Sequence, residues 1–161
     1  MKNIKLSNGI KLINKKFKKN EYYHYFDCPD LSVVIPKFKN RYILVSQKRI
    51  PINKKNYEFP SGMIEKNEKP IDCANKELIE ETGYTSIKKL NNISFFYTEP
   101  GRLNNKIYGF YTDKLKKISL PEKGIEINFF TRTQIINLIN KGKFNCASHI
   151  AMFFLSLKIS E

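Results

Sequence analysis

The stretch Ser61–Tyr84, "SGMIEKNEKPIDCANKELIEETGY", decides how this chain is read. Pro70 opens an apolar pattern, Ile71, Ala74 and Leu78, that returns at helical spacing and stops at Thr82-Gly83. Proline in the first turn and glycine past the end are the helix signals expected of such a segment, so the spacing predicts a helix over 70–81. On that helix Glu77 lies three residues before Glu80 and four before Glu81, which puts the three carboxylates on one face. Like charges at those spacings repel by a few tenths of a kcal/mol per pair, about as much as an ion pair would gain. The helix dipole also disfavours negative charge in the last turn. Two local costs without a local gain leave two readings: a solvated helix face, or a site for a hard divalent cation bound through carboxylate oxygens.

The rest of the chain makes the cluster conspicuous. The formal charge is +14, yet seven of fifteen acidic residues fall between Glu58 and Glu81. The base is mostly lysine, 25 against four arginines, beside 17 asparagines and 21 isoleucines. That joint excess fits an AT-rich coding sequence better than a phosphate-binding surface, which favours the bidentate geometry of arginine. Nucleic acid is therefore the weaker reading of the charge. With 161 residues and 41% apolar content the chain is long enough to bury a core as one domain. The longest apolar run, "IAMFFLSL", is too short to cross a bilayer, and no membrane partner is expected. No signal peptide is visible, and Cys28, Cys73 and Cys146 form no close pair, so reduced thiols in the cytoplasm are expected.

Strand signals flank the helix. Asn8-Gly9 between "IKL" and "IKLI" predicts a hairpin, and "LSVVIPKF" and "YILVSQKR" around Lys39-Asn40 predict a second. "ISFFYT", "KIYGFYTD" and "GIEINFF" read as strands; Thr131 caps a helix ending near Gly142, and "ASHIAMFFLSL" forms a last, largely buried one. The pattern is an α/β domain with a mixed sheet between helical layers. "NEYYHYF" reads as a strand whose rings could also stack on a base. His24 and His149 belong to no motif, and His149 on an apolar helix reads as a packing residue.

Spacing then separates the two readings of the acidic face. Gly62 is followed after five residues by Glu68, and seven residues later comes Lys76-Glu77-Leu78-Ile79-Glu80-Glu81-Thr82-Gly83-Tyr84. This resembles the Nudix box, G-x5-E-x7-R-E-U-x-E-E-x-G-U with U aliphatic, in every acidic position and both glycines. Lys76 stands where the family has arginine, and Tyr84 where it has an aliphatic residue. The resemblance implies a Nudix α/β/α sandwich with a mixed sheet flanked by helices. It implies Glu77 and Glu81 as the principal Mg²⁺ ligands (Mn²⁺ as substitute), Glu80 sharing a second ion, and the Ser61 carbonyl as a further ligand. Gly62, Glu68 and Lys76 would support them.

Three flanking features are similar to the ADP-ribose pyrophosphatase branch of that family. "LVSQKRIPINKKNYEFPSG" carries Gln47, Arg49, Glu58, Pro60 and Gly62 at matching places. Pro100 lies sixteen residues beyond Tyr84, in a Pro-Gly pair before a strand, and the tail from Gly124 repeats the branch's closing strand and helices. The resemblance implies Arg49, Glu58, Pro100 and Arg102 as substrate contacts. Glu122, on the loop before the closing strand, is the implied catalytic base beside Glu80 and Glu81, with Glu126 in reserve. Residues 1–29 are read as an N-terminal β extension making dimer or substrate contacts, and 30–161 as the hydrolase domain. A homodimer is implied. The expected reaction is hydrolysis of ADP-ribose, a nucleoside diphosphate sugar, to AMP and ribose 5-phosphate. The alternatives are another nucleoside diphosphate derivative (nucleotide sugar, dinucleotide or capped RNA), or a weakly catalytic ADP-ribose-binding module, because Lys76 and Leu103-Asn104-Asn105 depart from the pattern.

Overall fold

The computed structural model describes residues 3–6 and 9–159. The first three strands, β1 (Ile4–Lys5), β2 (Lys11–Lys18) and β3 (Glu21–Asp27), form an antiparallel sheet of their own. β1 pairs with β2, but Asn8 of the expected turn lies outside the described residues. Next come β4 (Leu31–Phe38), β5 (Arg41–Arg49), β6 (Lys54–Glu58) and β7 (Ser61–Met63). Helix α1 (Pro70–Thr82) leads to β8 (Tyr84–Ser86), β9 (Asn91–Tyr97), β10 (Lys106–Thr112), β11 (Leu115–Lys117) and β12 (Glu126–Phe130). Helices α2 (Arg132–Asn140) and α3 (Ala147–Ser156) follow.

The central sheet runs β12-β5-β4-β10-β9, with β6 added to β5 and β7 to β4. It is mixed, because β10 lies parallel to β4 while the other pairs are antiparallel. Its strands alternate between two cores, as side chains of period two must. Val33, Ile35, Tyr42 and Leu44 face α2 and α3, packing with Phe59, Ile135, Phe144, Met152 and Phe153. Val34 and Ile43 face α1, packing with Ala74, Leu78, Tyr84 and Phe110. A sheet covered on both faces needs near-continuous apolar strands, which is why "SVVI" and "YILV" carry no polar alternation.

Lys39 and Asn40 both take positive φ, 47° and 62°, the requirement of a two-residue hairpin turn. The hairpin differs from its simple expectation, though. β4 and β5 pair only at Lys37–Tyr42 and Phe38–Arg41 before parting. Each then takes another partner, β7 on one and β6 on the other. The opened wedge is where the functional side chains collect.

α1 starts at Pro70 and closes on Gly83, whose φ of 73° lets its N–H reach the Ile79 carbonyl at 2.8 Å. Gly83 is required for a second reason: a Cβ there would lie 2.2 Å from the Ser119 carbonyl oxygen. α2 carries a full capping box between Thr131 and Gln134. Phe59 stacks on Phe153 with ring centroids 6.1 Å apart and meets Phe144 edge-on, so α3 is fixed against the wedge. Phe153→Ala removes the centre of that stack and lowers unfolding free energy by about 3–5 kcal/mol in urea titration; a loss under about 1 kcal/mol would show that α3 is not a core element.

Candidate active site

β5 and β6 present alternate residues to the α1 side of the sheet. Gln47 and Arg49 come from β5, Asn56 and Glu58 from β6, and the register sets Gln47 opposite Asn56. Arg49 grips Glu58 with two parallel hydrogen bonds: Nε donates to Oε1 at 3.0 Å and Nη2 donates to Oε2. Asn56 Nδ2 donates to the same Oε1 at 3.1 Å. Burial alone would raise the Glu58 carboxyl, but the Arg49 and Asn56 hydrogen bonds outweigh it and hold it below the ordinary range. The guanidinium is in turn held charged, chiefly by its hydrogen bonds to Glu58.

Glu81 reaches this group from α1. It is only 6% exposed, its Oε2 accepts the Ser61 N–H at 3.0 Å, and its Oε1 accepts from Gln47 Nε2 at 3.4 Å. Burial pushes its carboxyl up to about 7, with the Glu77 charge adding to the rise and the Ser61 hydrogen bond opposing it. Glu77 is half-buried; burial first, and the Glu80 charge second, raise it as well. Its carboxylate fills the space over Gly62, where a Cβ would lie 2.0 Å from Glu77 Oε1. Glycine is needed at 62 for that approach. Glu80, by contrast, is exposed.

Lys76 lies beside this group. Its Nζ contacts Glu65 Oε1 and Glu68 Oε1, each at 3.1 Å. Glu68 also accepts the Glu65 N–H at 2.8 Å, so lysine and two glutamates brace the loop before α1. Behind the loop the buried Cys73 sulfur faces the carbonyls of Gly62 and Met63, and burial pushes its thiol up to about 12. Glu122 is exposed, but its backbone N–H donates to the Glu80 carbonyl at 2.8 Å, and its charge is one of those raising Glu77. Glu126 is engaged elsewhere, in an ion pair with Lys55 at 2.5 Å.

Pro100 and Arg102 sit apart from these. Their loop joins the N-terminal sheet: the Phe26 N–H donates to the Arg102 carbonyl at 2.8 Å, and Tyr23 Oη donates to the Gly101 carbonyl. Pro100 lines a cleft of about 810 Å³ with Lys15, Phe17, Tyr23, Tyr25 and Tyr97. Among the described residues no hydrogen bond or ion pair links Pro100 or Arg102 to the Arg49 group. Asn104 is spent in place, accepting the Cys28 N–H at 3.0 Å and donating to Asp27 at 2.7 Å. The motifs had not drawn attention to Asn56 or Glu65; β6 read as a strand would have revealed Asn56 as a same-face neighbour of Glu58.

In this geometry a glycine loop folds onto carboxylates of one helix end beside an arginine fork. The family model of the NUDIX domain covers residues 16–147. The chain belongs to the Nudix family. It is 31% identical over 155 residues to an ADP-ribose pyrophosphatase of Bacillus subtilis (strain 168), covering 92% of this chain and 82% of that protein. It is 38% identical over 76 residues to an RNA pyrophosphohydrolase of Bartonella clarridgeiae, 43% of each. A solved ADP compounds hydrolase shares the fold with a TM-score of 0.80 at 18% identity, over 98% of this chain and 89% of that one.

Among the described residues no three acidic, histidine or cysteine side chains close around a point to enclose an ion as they stand. The donors nevertheless suit a hard divalent cation. They are all oxygens, the Gly62 gap admits Glu77, and two carboxylates are held near each other against their own repulsion. A carboxyl whose folded pKa is raised from 4.5 to about 7 contributes stability that is whole below 4.5 and is lost as pH rises through 7. With chelator present, unfolding free energy therefore falls between pH 5 and 7, and Glu81→Gln shrinks the fall; chemical denaturation at stepped pH that finds a flat or rising curve contradicts this.

Proposed function

We propose that this Nudix hydrolase splits the pyrophosphate bridge of ADP-ribose into AMP and ribose 5-phosphate. The observation that carries the reading is the Arg49–Glu58 fork beside the buried carboxylate of Glu81, an arrangement suited to gripping phosphate next to a divalent metal. The similarity to an ADP-ribose pyrophosphatase over most of both chains supports the substrate.

Glu77 and Glu81, with Glu80 and the Ser61 carbonyl, would hold Mg²⁺, or Mn²⁺ in its place. When bound, the metal neutralises the diphosphate, polarises phosphorus and acidifies an attacking water. Glu58 uses two of the five guanidinium donors of Arg49, which leaves three for phosphate oxygens. Lys76 and Glu68 keep the loop closed over Glu77, as an arginine would, though as a point charge. Glu122 takes the proton of the attacking water; an O–P bond forms, the bridging O–P bond breaks, and the bridging oxygen leaves with the other phosphate. The hook from the Glu122 N–H to the Glu80 carbonyl keeps that base near α1. Pro100 and Arg102 would meet the nucleoside side of the substrate, where the aromatic cleft is large enough to hold one.

A homodimer in the cytoplasm completes the reading, in keeping with exposed Phe17, Tyr22 and Tyr97 and three free thiols. No helix among the described residues is long and apolar enough to cross a membrane. One observation favours a second substrate, either a nucleotide sugar, a dinucleotide or a capped RNA. Asn104 is committed to the N-terminal sheet, so the loop after Pro100 recognises the group beyond the diphosphate differently from an acidic loop.

Phosphate release from a panel of diphosphates with Mg²⁺ ranks ADP-ribose first in kcat/KM. A sugar nucleotide or capped RNA ranking well above it overturns the choice. Glu81→Gln lowers kcat by about a hundredfold or more while ADP-ribose still binds; equal turnover by both proteins removes Glu81 from the chemistry, and binding without turnover in either makes the protein a binding module. Lys76→Arg preserves or raises kcat/KM, and a large loss would give lysine a role of its own.

A further inference from the structure

Four consecutive residues, Glu58 to Ser61, are each tied to a different element. Glu58 sits in the Arg49 fork of β5. The Phe59 N–H donates to His149 Nδ1 on α3 at 3.0 Å, and the Pro60 carbonyl accepts the Val34 N–H of β4 at 3.0 Å. The Ser61 N–H donates to Glu81 on α1 at 3.0 Å. Three of these ties belong to the sheet or to the acidic site already described. The tie to His149 belongs to neither, and nothing in the proposed hydrolysis uses that residue. Phe59 is fully buried and lies between β6 and β7, outside both ladders, so its N–H needs an acceptor that the sheet does not supply. Pro60 has no N–H of its own, which leaves the Phe59 group as the one donor by which this link can be held.

His149 is 5% exposed. A buried imidazole is costly unless hydrogen-bonded, and leucine or phenylalanine would fill such a space without that cost. The ring's use is therefore its acceptor: with Nδ1 taking the Phe59 N–H, the ring proton stands on Nε2. The helix that carries the ring is fixed in turn. Met152, three residues on, packs so closely over Gly109 that a Cβ there would lie 2.1 Å from its sulfur. Phe153, four residues on, meets Tyr42 edge-on with centroids 5.1 Å apart and stacks on Phe59. His149, Met152 and Phe153 share one buried face of α3, so the acceptor is presented to Phe59 from a rigid support.

Ser61 stands opposite Val33 in the register of β7 and β4. The Val34 N–H goes to the Pro60 carbonyl and the Ser61 N–H to Glu81, so this pair exchanges no hydrogen bonds, and both backbone groups of Ser61 point away from β4. The Ser61 carbonyl thus emerges on the edge where its N–H already holds Glu81. Pro60 fixes one backbone angle between Phe59 and Ser61, so a displacement of Phe59 is passed on to Ser61 rather than absorbed. We infer that His149 is a positioning residue for the metal site: by accepting the Phe59 N–H it sets the Ser61 carbonyl and the Glu81 carboxylate where one divalent cation meets both. His149 touches neither cation nor substrate, and its role rests on the metal-binding reading of α1.

Titration of the whole protein with Mn²⁺ alone, followed by the electron paramagnetic resonance of the free ion, reads the effect without turnover. Affinity falls about tenfold in His149→Leu and by no more than about twofold in His149→Asn, whose Oδ1 accepts where Nδ1 did. Unchanged affinity in His149→Leu overturns the role, and so does an equal loss in both variants, which would make the ring a spacer. Amide hydrogen exchange without metal separates this role from the metal reading. In His149→Leu the Phe59 and Ser61 N–H groups exchange about tenfold faster while the β10 amides keep their rates. Unchanged exchange at Ser61, or faster exchange spread over β10 as well, overturns the positioning role. A missing Mn²⁺ signal in the unsubstituted protein counts against the metal reading, and the exchange pattern then decides the hold of His149 on Ser61 by itself. Where His149→Leu does not fold, the ring nitrogen NMR shifts of the unsubstituted protein decide: a bare Nδ1 and a protonated Nε2 are expected, and a proton on Nδ1 overturns the bond.

Discussion

Two glutamates one helical turn apart, Glu77 and Glu81, are kept close where their charges are poorly solvated, and the rest of the domain is arranged around that repulsion. Burial raises both carboxyls, helped by the Glu80 charge at Glu77 and by the Glu77 charge at Glu81, while the Ser61 N–H and, more weakly, the Arg49 charge oppose the cost at Glu81. A fold selected for stability alone would place leucine or alanine at such a position. Retaining the carboxylates makes sense where a cation arrives to offset them. Gly62 removes its own side chain to let Glu77 in, and Gly83 ends the helix where the loop carrying Glu122 can dock on the Glu80 and Gly83 carbonyls.

The sheet supplies the other half of the site by coming apart. β4 and β5 separate after two residue pairs, and the wedge between them admits β6 and β7, which carry Glu58 and Ser61 into the neighbourhood of Glu81. Phe59, between those two strands, turns to the other face and locks into Phe144 and Phe153. The same short segment thus holds the arginine fork, the acidic end of α1 and α3.

Much of this was legible in the residue order and some was not, for a physical reason in each case. The helix from Pro70 and the ordering of Glu77, Glu80 and Glu81 on one face follow from local spacing alone. The type of the hairpin at Lys39-Asn40 follows from its length. β6 and β7 escaped notice because "KKNYEFPSG" is charged and proline-bearing, and its pairing is set by strands distant in sequence. Lys76 could be recognised as a substitute for arginine, but not as a partner of Glu65, which lies eleven residues back on an irregular loop. Arg102 attaches to the N-terminal sheet through backbone contacts that no local pattern encodes. His149 read correctly as a buried packing residue, yet its bond to Phe59 spans ninety residues and could not be foreseen.

Binding of manganese to the resting protein tests the central claim most directly. Crystals soaked in Mn²⁺ and measured at its absorption edge should carry an anomalous peak against Glu77, Glu81 and the Ser61 carbonyl, and the peak should vanish in Glu81→Gln. An empty map, with both carboxylates turned into solvent, would mean that the charges are crowded together for some purpose other than holding a metal.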